Sequence, residues 1–234
     1  MSASSTTALT GRFAARTASI HIDPGCNAFL QDCFKTYGIH IVSLAGDPVT
    51  QLQRQKVEAC LLRLYDPDAK KILEAARSSA SNRRIVVYGI ARNTKEALQH
   101  SSYGINAVLD EPLDRPSVMK VVRSTRVLVI NELRRYARVP MVSRAVIETS
   151  SGSFPVMTGE ISSGGLSVSS PATIPAKNAV TVSLTLPGGS RFSVRAVLCW
   201  ERKNADKIYG LRFDSSDPTR LKIREWIDQQ LEIV

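Results

Sequence analysis

SRAVIETSSGSFPVMTGEISSGGLSVSS, residues 143–170, holds three runs in which apolar and polar residues alternate, parted by Ser and Gly clusters. A period of two marks strands with one buried and one solvated face. SRAVIET (143–149), FPVMTGEIS (154–162) and GLSVSS (165–170) are the first three. The pattern continues in AVTVSLTL (179–186), FSVRAVLCW (192–200) and YGLRF (209–213), with Pro187-Gly188-Gly189 as a turn. Strands at this spacing predict a six-stranded antiparallel β-barrel. The same alternation sends Trp200 and Phe213 into its core. Asp217-Pro218 opens a terminal amphipathic helix carrying Leu221, Ile223, Trp226, Ile227 and Leu231.

Upstream the texture differs. ASIHID (18–23), IHIVSLA (39–45), VEACLLRL (57–64), RIVVYGIA (84–91) and INAVLD (105–110) are short apolar runs. Between them lie helical patterns: Phe29 to Tyr37 stopped at Gly38, Val49–Gln55, Asp68–Ser79, and Thr94–His100 behind a capping Asn93. Pro116 opens a longer helix over Ser117–Leu133. Strands alternating with helices predict a doubly wound parallel five-stranded sheet. The fold class is therefore α/β plus all-β. The expected organisation is a disordered tail over 1–18, an α/β domain over 19–125, a linking helix and Arg-rich segment over 126–138, and a barrel domain over 139–234.

The 234 residues suffice for two modest domains, and 43% hydrophobic content excludes disorder throughout. No apolar run approaches the roughly 20 residues of a membrane span. The N-terminal MSASSTTALTGRFAARTAS lacks the apolar segment of a secretory signal, so a cytoplasmic protein is expected. Cys26, Cys33, Cys60 and Cys199 form no CxxC pair and, with His21, His40 and His100, no metal spacing. Mostly buried, reduced thiols are expected, with neither metal nor cofactor. No P-loop, nucleophile elbow or triad order stands out, which argues against an enzyme. The net charge is +10, and residues 126–140 concentrate it, with four arginines against Glu132. Such a patch seeks an anion.

Two motifs narrow the anion. LRRYARV (133–139) spaces Arg134 and Arg138 four apart at the barrel's entrance, and EISSGG (160–165) is an acid-x-Ser-x-Gly-Gly turn. Together with AVLCW (196–200) and YGLRF (209–213), in this order, they resemble the PilZ domains, bacterial receptors for cyclic di-GMP, over nearly all of residues 130–231. The resemblance implies that Arg134 and Arg138 clasp the nucleotide, with Arg135 a third contact. It implies that Glu160 stands where the family has Asp or Asn, that Ser162 donates to a phosphate or to backbone, and that Gly164 and Gly165 allow close approach and positive φ. A guanidinium suits this work because it is planar, forked and permanently charged. Glu160 keeps the acceptor chemistry but reaches one methylene further, and could instead pair with an arginine of RRYAR and close the empty site. Arg212 is a weaker candidate, pointing outward near the site.

The α/β segment is similar to the receiver domains of bacterial two-component signalling, with departures. Arg63 takes the phosphoacceptor position, Asp23 is the single acid left after the first strand, and Glu111-Pro112 replaces Lys-Pro. The resemblance implies a pseudo-receiver that is not phosphorylated, in which Arg63 pairs with Asp23, Asp66 or Glu111. The expected function is a cyclic di-GMP effector whose domain arrangement and contact with a protein partner change on binding. The alternative, favoured by Glu160, is an adaptor that binds protein and no nucleotide. Nucleic-acid binding by 120–138 is disfavoured, since only Tyr136 offers a stacking ring there. A surplus apolar face on the long helix could make a homodimer.

Overall fold

The computed structural model describes residues 14–44, 46–175, 179–189, 191–203 and 207–231. The chain divides into two compact units, residues 1–133 and 134–234. Of the expected tail, residues 1–13 lie outside the described residues. The remainder is not tail. The first strand, β1, spans Ala15–Ile20, three residues earlier than the sequence pattern suggests. It stops because His21 takes a left-handed backbone (φ 52°) and the Asp23 carboxylate accepts from the N–H of Cys26 at 2.9 Å, opening helix α1 (Pro24–Lys35).

There follow β2 (Ile39–Ser43), α2 (Pro48–Arg54), β3 (Ala59–Arg63), α3 (Ala69–Ser78), β4 (Val86–Ala91), α4 (Thr94–Gln99), β5 (Ala107–Asp110) and α5 (Arg115–Tyr136). The strands are all parallel, in the order β2-β1-β3-β4-β5. That is the receiver-type order, 2-1-3-4-5, of a doubly wound sheet. The interior strand β4 is buried along its whole length, as a strand covered on both faces must be. Helix α5 is held by a 2.7 Å hydrogen bond between the hydroxyls of Tyr88 and Thr125, and by Arg126 Nε donating to Tyr37 O at 3.1 Å.

At the carboxyl ends of these strands Arg63 pairs with Asp23 (2.6 Å) and more loosely with Glu111 (3.5 Å). Asp66 is taken instead by His21, whose Nδ1 lies 2.9 Å away. The Cys26 N–H, followed by Arg63, holds the Asp23 carboxyl below its usual range. Its contribution to stability is thus present above the ordinary aspartate value and is lost as pH falls through the lower folded-state value. Below pH ~4 the melting temperature should fall less steeply with acid in Asp23→Asn than in the unmodified chain. Equal slopes in thermal melts across that range would contradict the pairing.

The second unit contains β6 (Val139–Pro140), β7 (Arg144–Thr149), β8 (Gly152–Ser162), β9 (Gly165–Ser170), β10 (Ala179–Thr185), β11 (Arg191–Lys203), β12 (Lys207–Phe213) and α6 (Thr219–Gln230). Six of these strands close a ring, β8-β7-β10-β11-β12-β9 and back to β8, all antiparallel. The two-residue β6, not foreseen from the sequence, adds to β8 through Val139↔Ile161 and Pro140↔Glu160. Ile147, Val168, Val182, Val194 and Phe213 fill the barrel. Helix α6 packs by Ile223, Ile227 and the following Leu231, whereas Leu221, expected on its apolar side, is exposed.

Candidate functional site

Two irregularities decide which side chains face outward at one end of the barrel. Strand β8 pairs with β9 as Thr158↔Val168 and then Ile161↔Leu166, so three steps on β8 match two on β9. A β-bulge of one residue reverses the inward–outward phase beyond it. Val156 and Thr158 are buried; Glu160, next in that phase, is exposed, and Ile161 takes the inner place. The N–H of Glu160 donates to Ser167 Oγ at 3.0 Å and closes the bulge.

Strand β11 does the same. Leu198↔Leu211 is followed by Trp200↔Gly210, so two steps on β11 match one on β12. Val194 and Ala196 are buried, but Trp200 is 43% exposed. The expectation that Trp200 is core is therefore wrong, and the extra residue is the reason. Phe213, at 3%, is core as expected.

Between these features lies a groove of about 830 Å³, within the range of small-ligand sites. Arg135, Arg138, Arg202 and Arg212 stand on its walls with Glu160 as the lone carboxylate. The turn Ser162–Gly165 forms one side, and Cys199 and Trp200 face it from β11. Arg138 follows α5 and is flanked by buried Ala137 and Val139, which fix its direction outward. Arg212 sits opposite Gly165 in the β12–β9 pair.

Arg134 is placed differently. Its Nε donates to Asp228 Oδ1 of α6 at 2.7 Å, with both side chains 21% exposed. Ser162 Oγ donates to Gly165 O at 3.1 Å and accepts from the N–H of Gly164 at 3.4 Å, so it braces its own turn. Neither Gly164 nor Gly165 has the expected positive φ. Gly165 is required by packing, because a Cβ there would meet Leu211 O at 2.0 Å, whereas one on Gly164 would meet nothing within 4 Å. Among the described residues no ion pair joins Glu160 to an arginine, so the carboxylate does not close the site.

Trp200, Arg202, Gly210 and Cys199 were missed from sequence. One signal was available: the adjacent Glu201 and Arg202 place charge on both phases of the strand, which strict alternation does not allow. The thiols also differ from expectation. Cys33 and Cys60 are buried, with burial pushing Cys60 up to about 12, but Cys26 is half-buried and Cys199 lies open on the groove. Among the described residues no cluster fit for a metal ion occurs and no helix is long and apolar enough to cross a membrane.

A concave wall with several guanidinium groups, one open indole and a hydroxyl-rich turn fits a flat, anionic ligand. Residues 132–229 match the family model of the PilZ domain, so the expected resemblance of this stretch to PilZ domains is borne out. No curated protein matches the chain. Similar solved structures include the receiver domain of a sensor histidine kinase from Pseudomonas aeruginosa PAO1, at 16% identity, covering 49% of this chain and 98% of that one, TM-score 0.42. Another is the PilZ domain of YcgR from Escherichia coli with c-di-GMP, at 18% identity, covering 42% and 90%, TM-score 0.36. A third is the inhibitor of motility MotI/DgrA from Bacillus subtilis, at 16% identity, covering 42% and 51%, TM-score 0.37.

Proposed function

We propose that this groove binds cyclic di-GMP and that the chain is an effector of that second messenger, not a catalyst. The observation that carries the reading is the convergence of Arg135, Arg138, Arg202 and Arg212 on one concave wall facing the Ser162–Gly165 turn. A cyclic dinucleotide brings two phosphodiester anions and two purines. Guanidinium groups can grip a phosphate, bond guanine O6 and N7 together, or lie on a purine face. The turn supplies the Ser163 hydroxyl and, at Gly164, an open surface for close approach. Arg134 stands outside this set, with its Nε on Asp228. The expected consequence of binding, for a protein read as cytoplasmic, is an altered contact with a protein partner, since a ligand shifts an arrangement only through differential affinity.

Calorimetric titration of the full chain with cyclic di-GMP tests the reading. Saturable heat is expected, with affinity falling as salt is added, because the contacts are ionic and partly exposed. Glu160→Asp is expected to bind several-fold more tightly, since it puts on this groove wall the shorter carboxylate that the family resemblance implies at the position. No heat from the unmodified chain at low salt would overturn the proposal and leave the nucleotide-free adaptor.

A further inference from the structure

The outward positions of an antiparallel sheet that faces water on one side are ordinarily polar. On β7 and β8 they are not. Ala145-Val146-Ile147 and Phe154-Pro155-Val156-Met157 run apolar without alternation. Ala145, Ile147 and Val156 are buried, which leaves Val146, Pro155 and Met157 outside, with Val146 36% and Met157 40% exposed. The register gathers them: Val146 lies across from Pro155 and Ser183, and Met157 across from Arg144 and Ser169. Because Ser169 and Ser183 are short, the longer side chains beside them enclose a hollow of about 560 Å³. Arg144 and Arg191 line it. Among the described residues no carboxylate lines it, and no ion pair engages either arginine. Glu148, the next outward residue of β7, lies beyond it.

A contiguous apolar patch on an outer wall marks an interaction surface, and Met and Arg are enriched in such surfaces. The charge selects the occupant. Two unpaired guanidinium groups call for carboxylates. A second copy is a poor source of them: the chain carries +10, and pairing this face with itself brings like charges together. A membrane is entered by apolar side chains that protrude, and a hollow offers none. We propose that this hollow docks a short acidic segment of a protein partner, its apolar side chains seated on Val146, Pro155 and Met157 and its carboxylates on Arg144 and Arg191. The hollow shares no lining residue with the arginine groove, so the inference does not rest on the nucleotide reading.

The test pans the full chain, without nucleotide, against a display library of short random peptides, and the enriched sequence is then titrated as a labelled synthetic peptide by fluorescence anisotropy. Apolar residues beside Asp or Glu are expected to be enriched. Arg144→Glu combined with Arg191→Glu should weaken that peptide by about tenfold or more, and the same peptide with Lys for each acid should prefer the charge-reversed chain. Met157→Glu should weaken the peptide as well. With methyl-labelled methionine, the Met157 resonance should shift on titration while that of buried Met141 stays in place. All three substituted positions are exposed, so the variants should melt as the unmodified chain does. No enrichment, enrichment without acidic bias, or a peptide indifferent to the charge reversal would overturn the proposal. A dimer that forms with concentration and is abolished by Met157→Glu would give the face to a second copy instead. Binding to phosphatidylglycerol vesicles that the same variant abolishes would give it to a membrane. Either result also overturns the proposal, and none of these outcomes bears on whether the groove takes cyclic di-GMP.

Discussion

Arg138→Ala is expected to weaken cyclic di-GMP binding by about tenfold to a hundredfold, the largest affinity loss of any single groove substitution. A charge-assisted hydrogen bond to a phosphate or guanine contributes about 1.5–3 kcal/mol, and each ~1.4 kcal/mol is a factor of ten. Arg138 should realise that full range because buried Ala137 and Val139 already hold it toward the groove, so little is spent on ordering it. Arg138→Lys should recover only part, since a point charge replaces a fork. Arg134→Ala should cost less affinity than Arg138→Ala, because Arg134 is engaged by Asp228 and does not line the groove. Calorimetry on the three variants ranks them. Full affinity in Arg138→Ala would remove the residue from the site.

Gly165→Ala is expected to destabilise the barrel by about 3 kcal/mol or more, at the upper end of overpacking costs. The new methyl group would stand 2.0 Å from Leu211 O, 3.1 Å from Leu211 C and 3.2 Å from Arg212 Cα, all backbone atoms of the strand paired with β9. Backbone cannot swing aside as a side-chain tip can, so β9 and β12 must part where Arg212 faces Gly165. Ligand affinity should fall with the fold. Gly164→Ala is the control, since its methyl group meets nothing within 4 Å, and it should melt as the unmodified chain does. Tryptophan fluorescence isolates the effect, because both tryptophans, Trp200 and Trp226, belong to the second unit. Identical melting of the Gly165 and Gly164 variants would contradict the packing argument.

Much of the fold was legible because its signals are periodic. The buried runs at 57–64 and 84–91 and the alternating runs at 143–149 and 165–170 state their sheet type directly. The boundary errors arose where a polar cap outweighed an apolar pattern: His21 and Ile22 continue a strand in the sequence, but the Asp23 cap ends it. The site was half legible. RRYAR and EISSGG were found by their motifs, and the groove gathers Arg135, Arg138, Arg212, Glu160 and the Ser162–Gly165 turn. What alternation could not show is where a strand gains a residue. Counting by two from Val194 and Ala196 puts Trp200 inside, and the bulge beside Cys199 puts it outside. A bulge is a property of two strands pairing, so neither sequence run declares it alone. Likewise Gly165 reads as a ligand-facing glycine in the motif, yet Leu211 across the sheet is what forbids a side chain there.

The central claim is that the walls bearing Arg138, Trp200 and the Ser162–Gly165 turn enclose one ligand site. A crystal structure of the full chain grown with cyclic di-GMP tests it most directly. The account predicts nucleotide density in that groove, with a phosphate or guanine edge on Arg138 and the Ser162–Gly165 turn beside the ligand. Nucleotide bound elsewhere, with the groove left as it is, would contradict it.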